Sequence, residues 1–317
     1  MKKIGCLMIF VALFVTLCFV PQFALADVYT DSDFSFSGKG TKASPYLIQN
    51  ADDLKNFRDA VNNGNKFEDI YFCQTANIDL KSEEWIPIGV FGGKNYFYGI
   101  YDGGGHYIEN LLISKSGNNG LFGMLGGVVM NLGIESGEIH GGCIGSFTSH
   151  AAGDKAVIIN CYNKASIYGG RGGGIADNFN GIILNCWTDC EFFGKEHGDI
   201  YSYDCSRMLN CYTNNGEKNE VNADVLNDGI IMAASKAEID MNDLYMWDFD
   251  GEKVIFSKEK YTFTISDLPQ WIIAYGTWLI FGGIMAVALL IILYEFIRKN
   301  KIQDKIINAE IQENSSQ

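Results

Sequence analysis

The sequence predicts an all-β protein: a parallel β-helix with an N-terminal capping helix, followed by a C-terminal single-pass transmembrane helix. Three observations carry this reading. Asn-Cys-aromatic recurs as Asn160-Cys161-Tyr162, Asn185-Cys186-Trp187 and Asn210-Cys211-Tyr212, one copy every 25 residues, a period that marks stacked structural repeats. Each copy follows an apolar pair (Ile158-Ile159, Ile183-Leu184, Met208-Leu209), so the unit is short, apolar and turn-punctuated, like one coil. Both ends of the 317-residue chain are apolar in the manner of segments that meet a membrane.

Residues 1–26 read as a secretory leader. Lys2 and Lys3 precede an apolar run from Ile4 to Val20, then Pro21 and the small-residue site Ala24-Leu25-Ala26. Residues 27–90 form the N-terminal cap and first strands. A helix is expected from about Ala51 to Asn62, with Asn50 as N-cap, Asp52 and Asp53 in its first turn, and Gly64 just past its end. Leu54, Phe57 and Val61 give it one apolar face, which suits a lid on the open end of a β-helix. Short strands follow at Ile70-Tyr71-Phe72, Asn77–Leu80 and Trp85–Gly89.

Residues 91–215 hold the coils. Ile159 and Cys161 flank Asn160 and both favour the interior, so strand alternation must break at the asparagine; Asn is the non-glycine residue that best tolerates a left-handed bend. Asn110 and Asn131 mark two earlier coils. The expected ladder is therefore Asn110, Asn131, Asn160, Asn185 and Asn210, sharing amide hydrogen bonds, beside a core column of Cys161, Cys186 and Cys211. The coil before Asn160 is longer, and its polar surplus around His150 to Lys155 is expected as a surface loop.

Residues 216–270 are expected to form a C-terminal cap and juxtamembrane linker. Asp224 to Ala237 is undecided between helix and loop because of Gly229, and short strands are expected at Val254–Phe256 and Tyr261–Ile265. From Trp271 to Ile297 no ionisable group appears until Glu295, enough to span a core of about 30 Å. Arg298, Lys299, Lys301 and Lys305 then place the tail, 298–317, in the cytoplasm. The expected location is the cell membrane, with an extracellular ectodomain.

The chain carries a net charge of −14, and the ectodomain about −16, with 18 Lys and Arg against 34 Asp and Glu. Such a charge opposes nucleic acid and anionic lipid surfaces, and favours cationic, Ca²⁺-bridged or neutral partners. Seven cysteines lie beyond the leader, an odd number. Stacked core thiols, one or two disulfides, or a metal site would each use them; the 25-residue spacing favours stacking. Zinc is disfavoured because neither C-x-x-C nor His-x-x-x-His spacing occurs, and no motif asks for a cofactor.

An ordered set of motifs resembles the bacterial surface domains that carry the GLUG motif. It comprises Gly38-x-Gly40-Thr41 with Pro45-Tyr46-x-Ile48, Asn77-Ile78-Asp79-Leu80, Trp85-x-Pro87-Ile88-Gly89, Tyr101-Asp102-Gly103-x-Gly105-His106-x-Ile108, Gly120-Leu121-Phe122-Gly123, and the Asn-Cys-Tyr coils. The resemblance covers about Phe36 to Phe256 and implies a right-handed β-helix acting as a surface scaffold without established chemistry. Phe192–His197 lacks the Gly-Gly pair seen at Gly173-Gly174, so a local irregularity is expected there.

Catalysis is weighed because β-helices also carry polysaccharide lyases and hydrolases. Hydrolysis needs paired carboxylates at separations that fit a sugar and a water. Asp52-Asp53 is better explained by the helix dipole, Arg171 and Arg207 sit among no acids in sequence, His106 is expected to pack or hydrogen-bond at its glycine turn, and His140, His150 and His197 form no ligand spacing. No H-E-x-x-H is present. The expectation is a non-enzymatic, membrane-anchored binding or adhesion module for glycan or protein ligands, with some of Tyr162, Tyr168, Trp187 and Tyr212 facing outward. The alternatives are a membrane-proximal structural envelope protein, given a rod of only about 25–30 Å, and a carbohydrate-active enzyme. A groove with three acids would favour the enzyme.

Overall fold

Parallel pairing builds the body of the molecule, which a computed structural model describes over residues 36–115, 117–214 and 221–262. One column runs Tyr46, Phe72, Tyr101, Val129, Ile158, Ile183, Met208, each residue in register with the next coil. A second runs Ile113, Ile139, Ile167, Phe192. All but Tyr46, Phe192 and Met208 in these columns are buried, and they form one core. Each such apolar side chain contributes about 1.5–3 kcal/mol on burial. The result is an all-β parallel solenoid. The expected leader (1–26), membrane span (271–297) and tail (298–317) lie outside the described residues. Among the described residues no helix is long and apolar enough to cross a membrane.

Helix α1 (Ala51–Asn62) closes the first-coil end. The Asn50 side chain accepts from the amides of Asp52 and Asp53 at 3.0 Å each, and Phe57 reaches Phe72 and Phe97 with centroids at 4.5 and 5.0 Å.

Five coil-corner asparagines are left-handed: Asn110, Asn131, Asn160, Asn185 and Asn210 have φ of 53–57°. The expected cause needs correcting. Ile159 does not share the interior with Cys161; with Met130, Val157 and Leu184 it points outward into a second apolar cluster. What covers that cluster is helix α2 (Ala223–Ala237), through Ile230, Ala233 and Ala234. Gly229 is no obstacle to this helix. A Cβ there would lie 1.7 Å from Asn210 Nδ2, so glycine is what lets α2 approach the asparagine column.

After α2 the chain runs back toward the first coils. A hairpin, Tyr245–Phe249 with Val254–Lys260, pairs antiparallel, Lys42 Nζ meets Asp243 at 2.8 Å, and Lys260 Nζ lies 3.7 Å from Asp102. The described part of the expected C-terminal cap thus lies along the flank of the coils as a strap. Strand Phe192–Gly198 keeps constant register with Ser166–Gly173, and the irregularity falls instead in the next strand, where the pairing of Ala176–Leu184 with Tyr201–Leu209 slips twice. His150 is half-buried against the Phe91 ring at 4.4 Å, while the exposed part of the expected loop is 153–155.

Candidate functional site

The expected ladder residues fall into two groups. Asn131, Asn160 and Asn185 are fully buried and successive: Asn160 Nδ2 donates to Asn131 Oδ1 and Asn185 Nδ2 to Asn160 Oδ1, both at 2.8 Å. Asn210 bonds Asn185. Asn131 Nδ2 continues the chain to Asp102 Oδ1 at 2.8 Å. Asn110 stands apart from this chain, donating to Asp79 Oδ1 at 2.8 Å while its amide bonds Ser136.

The column also holds the strap. Asn131 Nδ2 donates to Asp243 O (3.0 Å), its Oδ1 accepts from Tyr245 N (3.1 Å), and Asn160 Nδ2 donates to Tyr245 O (2.9 Å). These side-chain amides serve the strap backbone as a neighbouring strand would. Asn185 lies 2.9 Å from Leu226 O and 3.2 Å from Trp247 Nε1; turned one way its amide continues the ladder, turned the other it bonds the strap.

Cys161, Cys186 and Cys211 are free thiols in successive coils. Each reaches the carbonyl two residues before it and one in the preceding coil; for Cys186 these are Leu184 O at 3.1 Å and Ile158 O at 3.7 Å. Burial pushes the Cys186 and Cys211 thiols well above their usual range, so neither is a ready thiolate.

Two aromatic stacks project outward from the coils. In the first, Tyr162 and Trp187 stack at 4.9 Å and 12°, with Tyr212 next in register. Both rings are 2% exposed, because Trp247 and Phe256 of the hairpin cover them. Tyr162 Oη donates to Glu135 (2.7 Å), which also receives Lys164 (3.1 Å) and Lys253.

The second stack lies on another face of the coils. His140, Tyr168 and Phe193 stack at 4.7 Å and 11°, then 4.6 Å and 6°. Their neighbours Ile139, Ile167 and Phe192 point inward, so strand alternation drives these rings out. Phe193 is 51% exposed. Beside the rings lie exposed Gly142 and Gly170; a Cβ on Gly142 would meet nothing nearer than 3.7 Å, so the fold itself does not demand glycine there. Further along, Arg171 contradicts its expected isolation: it pairs with buried Asp177 through two nitrogens (2.8 and 2.9 Å) beneath the Tyr203 ring.

Two of the concavities among the described residues bear on function. A cleft of about 350 Å³ beside α1 is lined by three acids, Asp52, Asp79 and Glu83. Asn110 and the Lys81 amide hold Asp79 below the usual carboxylate range, and Lys55 does the same for Glu83. A general acid needs the opposite shift, so this pair supplies no proton donor at neutral pH. A groove of about 540 Å³ lies between the turn Gly104–Tyr107 and the hairpin.

Sequence reasoning missed the strap and the residues that anchor it, Asp102, Glu135 and Trp247. One signal was present: Val157, Ile158 and Ile159 are apolar at consecutive positions, which implies cover on both faces of the strand.

No protein-family profile matches the chain. Over 131 residues it is 35% identical to a candidate Gly-rich membrane protein of Evansella cellulosilytica, a stretch covering 39% of this chain and 15% of that protein. Over 118 residues it is 35% identical to halomucin of Haloquadratum walsbyi, covering 33% of this chain and 1% of that protein. The matched stretch is thus a small part of either relative. A solved structure of a candidate immunoglobulin A1 protease from Bacteroides ovatus aligns over 70% of this chain and 95% of that one, with a TM-score of 0.46 and 18% identity.

Proposed function

We propose that the chain is a non-catalytic, envelope-anchored binding module, exported behind residues 1–26 and held by 271–297, that adheres to a surface glycan or protein through its bare aromatic face. The observation that carries this reading is the contrast between the two stacks. Rings of the same geometry are covered by the chain's own Trp247 and Phe256 in one place and left half-buried to exposed in the other, with Phe193 open to solvent. An exposed row of stacked rings is the kind of surface that an external partner buries. The GLUG resemblance and the partial likeness to a Gly-rich membrane protein accord with a surface location.

The test is binding of the purified full chain to a glycan array and to immobilised extracellular-matrix proteins. Tyr168→Ala and Phe193→Ser are expected to lower retention more than tenfold while circular dichroism stays unchanged. A folded wild-type chain that retains nothing on either surface would count against the reading, as would variants that bind like wild type.

A further inference from the structure

We propose that the groove between the coil turns and the hairpin is a second ligand site, for a carboxylated sugar ring, and that filling it locks the strap onto the coils. The groove is separate from the bare aromatic face and does not depend on it. Its volume, about 540 Å³, falls within the range of small-ligand sites. Tyr107, Tyr245 and Phe256 line it with ring surface, and Asn77 and His106 add polar groups. His106 Nδ1 lies 3.2 Å from Asn77 Oδ1, an acceptor, so Nδ1 carries the proton and Nε2 is left as an acceptor for a hydroxyl. Burial lowers the His106 pKa, which keeps the ring neutral at pH 7.

The charges in the groove select the ligand. Glu135 is shared by Lys164 and Lys253, one carboxylate against two ammonium groups. Asp250 turns Oδ1 onto the amides of Glu252 and Lys253 in its own loop, at 2.9 Å each. Lys258 also lines the groove, and among the described residues it makes no ion pair. Of the charged groups that line the groove, Lys253 and Lys258 balance Glu135 and Asp250, and Lys164, outside the lining, also pairs with Glu135, so the groove is not acidic on a chain whose total is −14. A carboxylate is the partner Lys258 lacks, and ring walls beside hydroxyl-sized polar groups fit a sugar that bears it.

One wall belongs to the coils and the other to the hairpin, so a ligand that touches both binds only the strapped state. By linkage, ligand at ten times its Kd lowers the open fraction about elevenfold.

The experiment uses the full chain, with galacturonate and its short oligomers as probes, galactose as the uncharged ring and acetate as the ringless carboxylate. Calorimetry reads affinity, and hydrogen exchange reads the amides of Val254–Lys260. The expected result is galacturonate binding at least tenfold tighter than galactose or acetate, with slower exchange in that strand. Lys258→Glu is expected to abolish it, while Lys195→Glu and Phe193→Ser, on the bare face, leave it unchanged. Equal affinity for the three probes, no binding of galacturonate to the folded chain, unchanged binding by Lys258→Glu, or binding without added protection of 254–260 would each overturn the proposal. Because the bare face is read through separate variants, failure here leaves that reading standing.

Discussion

The two outward stacks share a geometry and differ in what lies beyond them. Tyr162 and Trp187 are sealed by Trp247 and Phe256, with Glu135 and its lysines at the margin. In the other stack Phe193 is exposed and His140 and Tyr168 are half-buried, with no hairpin ring over them among the described residues. The coil alone therefore does not decide whether an outward ring is structural. A second layer decides it, and the strap supplies that layer on one side only. The same rule governs the aliphatic positions, where Val157, Ile159 and Leu184 face outward yet are buried under α2.

The sharpest way to break this comparison is to strip the cover. Trp247→Ala removes a buried indole from the sealed stack and is expected to destabilise the protein by about 3–5 kcal/mol, read from urea unfolding, with tryptophan emission shifting to the red as Trp187 meets water. Next comes the column that holds the strap. Asn160→Ala loses bonds to Asn131 and Tyr245 and puts alanine at φ 57°. Strain of roughly 1–2 kcal/mol adds to roughly 1–3 kcal/mol for the partners left unpaired. Asn160→Gly should recover the backbone share, whereas Asn110→Gly, outside the ladder, should change stability by less than about 1 kcal/mol.

Acid sharpens the comparison more gently. Burial alone would raise the Glu135 pKa, but Lys253, Tyr162 and Lys164 outweigh it and hold it below the usual carboxylate range. Its contribution is therefore present above the unfolded value of about 4.3 and is lost as pH falls through its lower folded value. Asp102 runs the other way. Burial raises it despite Asn131 and the Gly104 amide, so its contribution is present below about 3.9 and fades as pH rises through its folded value. The two are separated by Glu135→Gln: the stability difference between wild type and this variant should shrink below about pH 4, as measured by urea midpoints. Smallest of all is Phe193→Ser on the bare face, expected to stay within about 0.5 kcal/mol of wild type.

Much of the coil architecture was legible because it repeats. A fixed 25-residue interval, left-handed asparagines and a capped amphipathic helix each have a local cause that a sequence displays. The strap does not repeat. Its helix carries Gly229, which weakens a local helix signal, and the reason for that glycine is Asn210, nineteen positions earlier and brought close only by the fold. Likewise the sequence offers Tyr162, Trp187 and Tyr168 as candidates for the outward face without distinguishing them. Which of them remain available depends on Trp247 and Phe256, residues with no periodic relation to the coils.

The most direct measurement of the central claim compares two variants of the full chain by two readouts, urea midpoint and retention on the glycan and matrix-protein surfaces that hold the wild type. The account predicts that Phe193→Ser keeps the midpoint and loses retention more than tenfold, whereas Trp247→Ala lowers the midpoint and, under conditions where it remains folded, keeps retention. Retention lost with Trp247→Ala and kept with Phe193→Ser would contradict it.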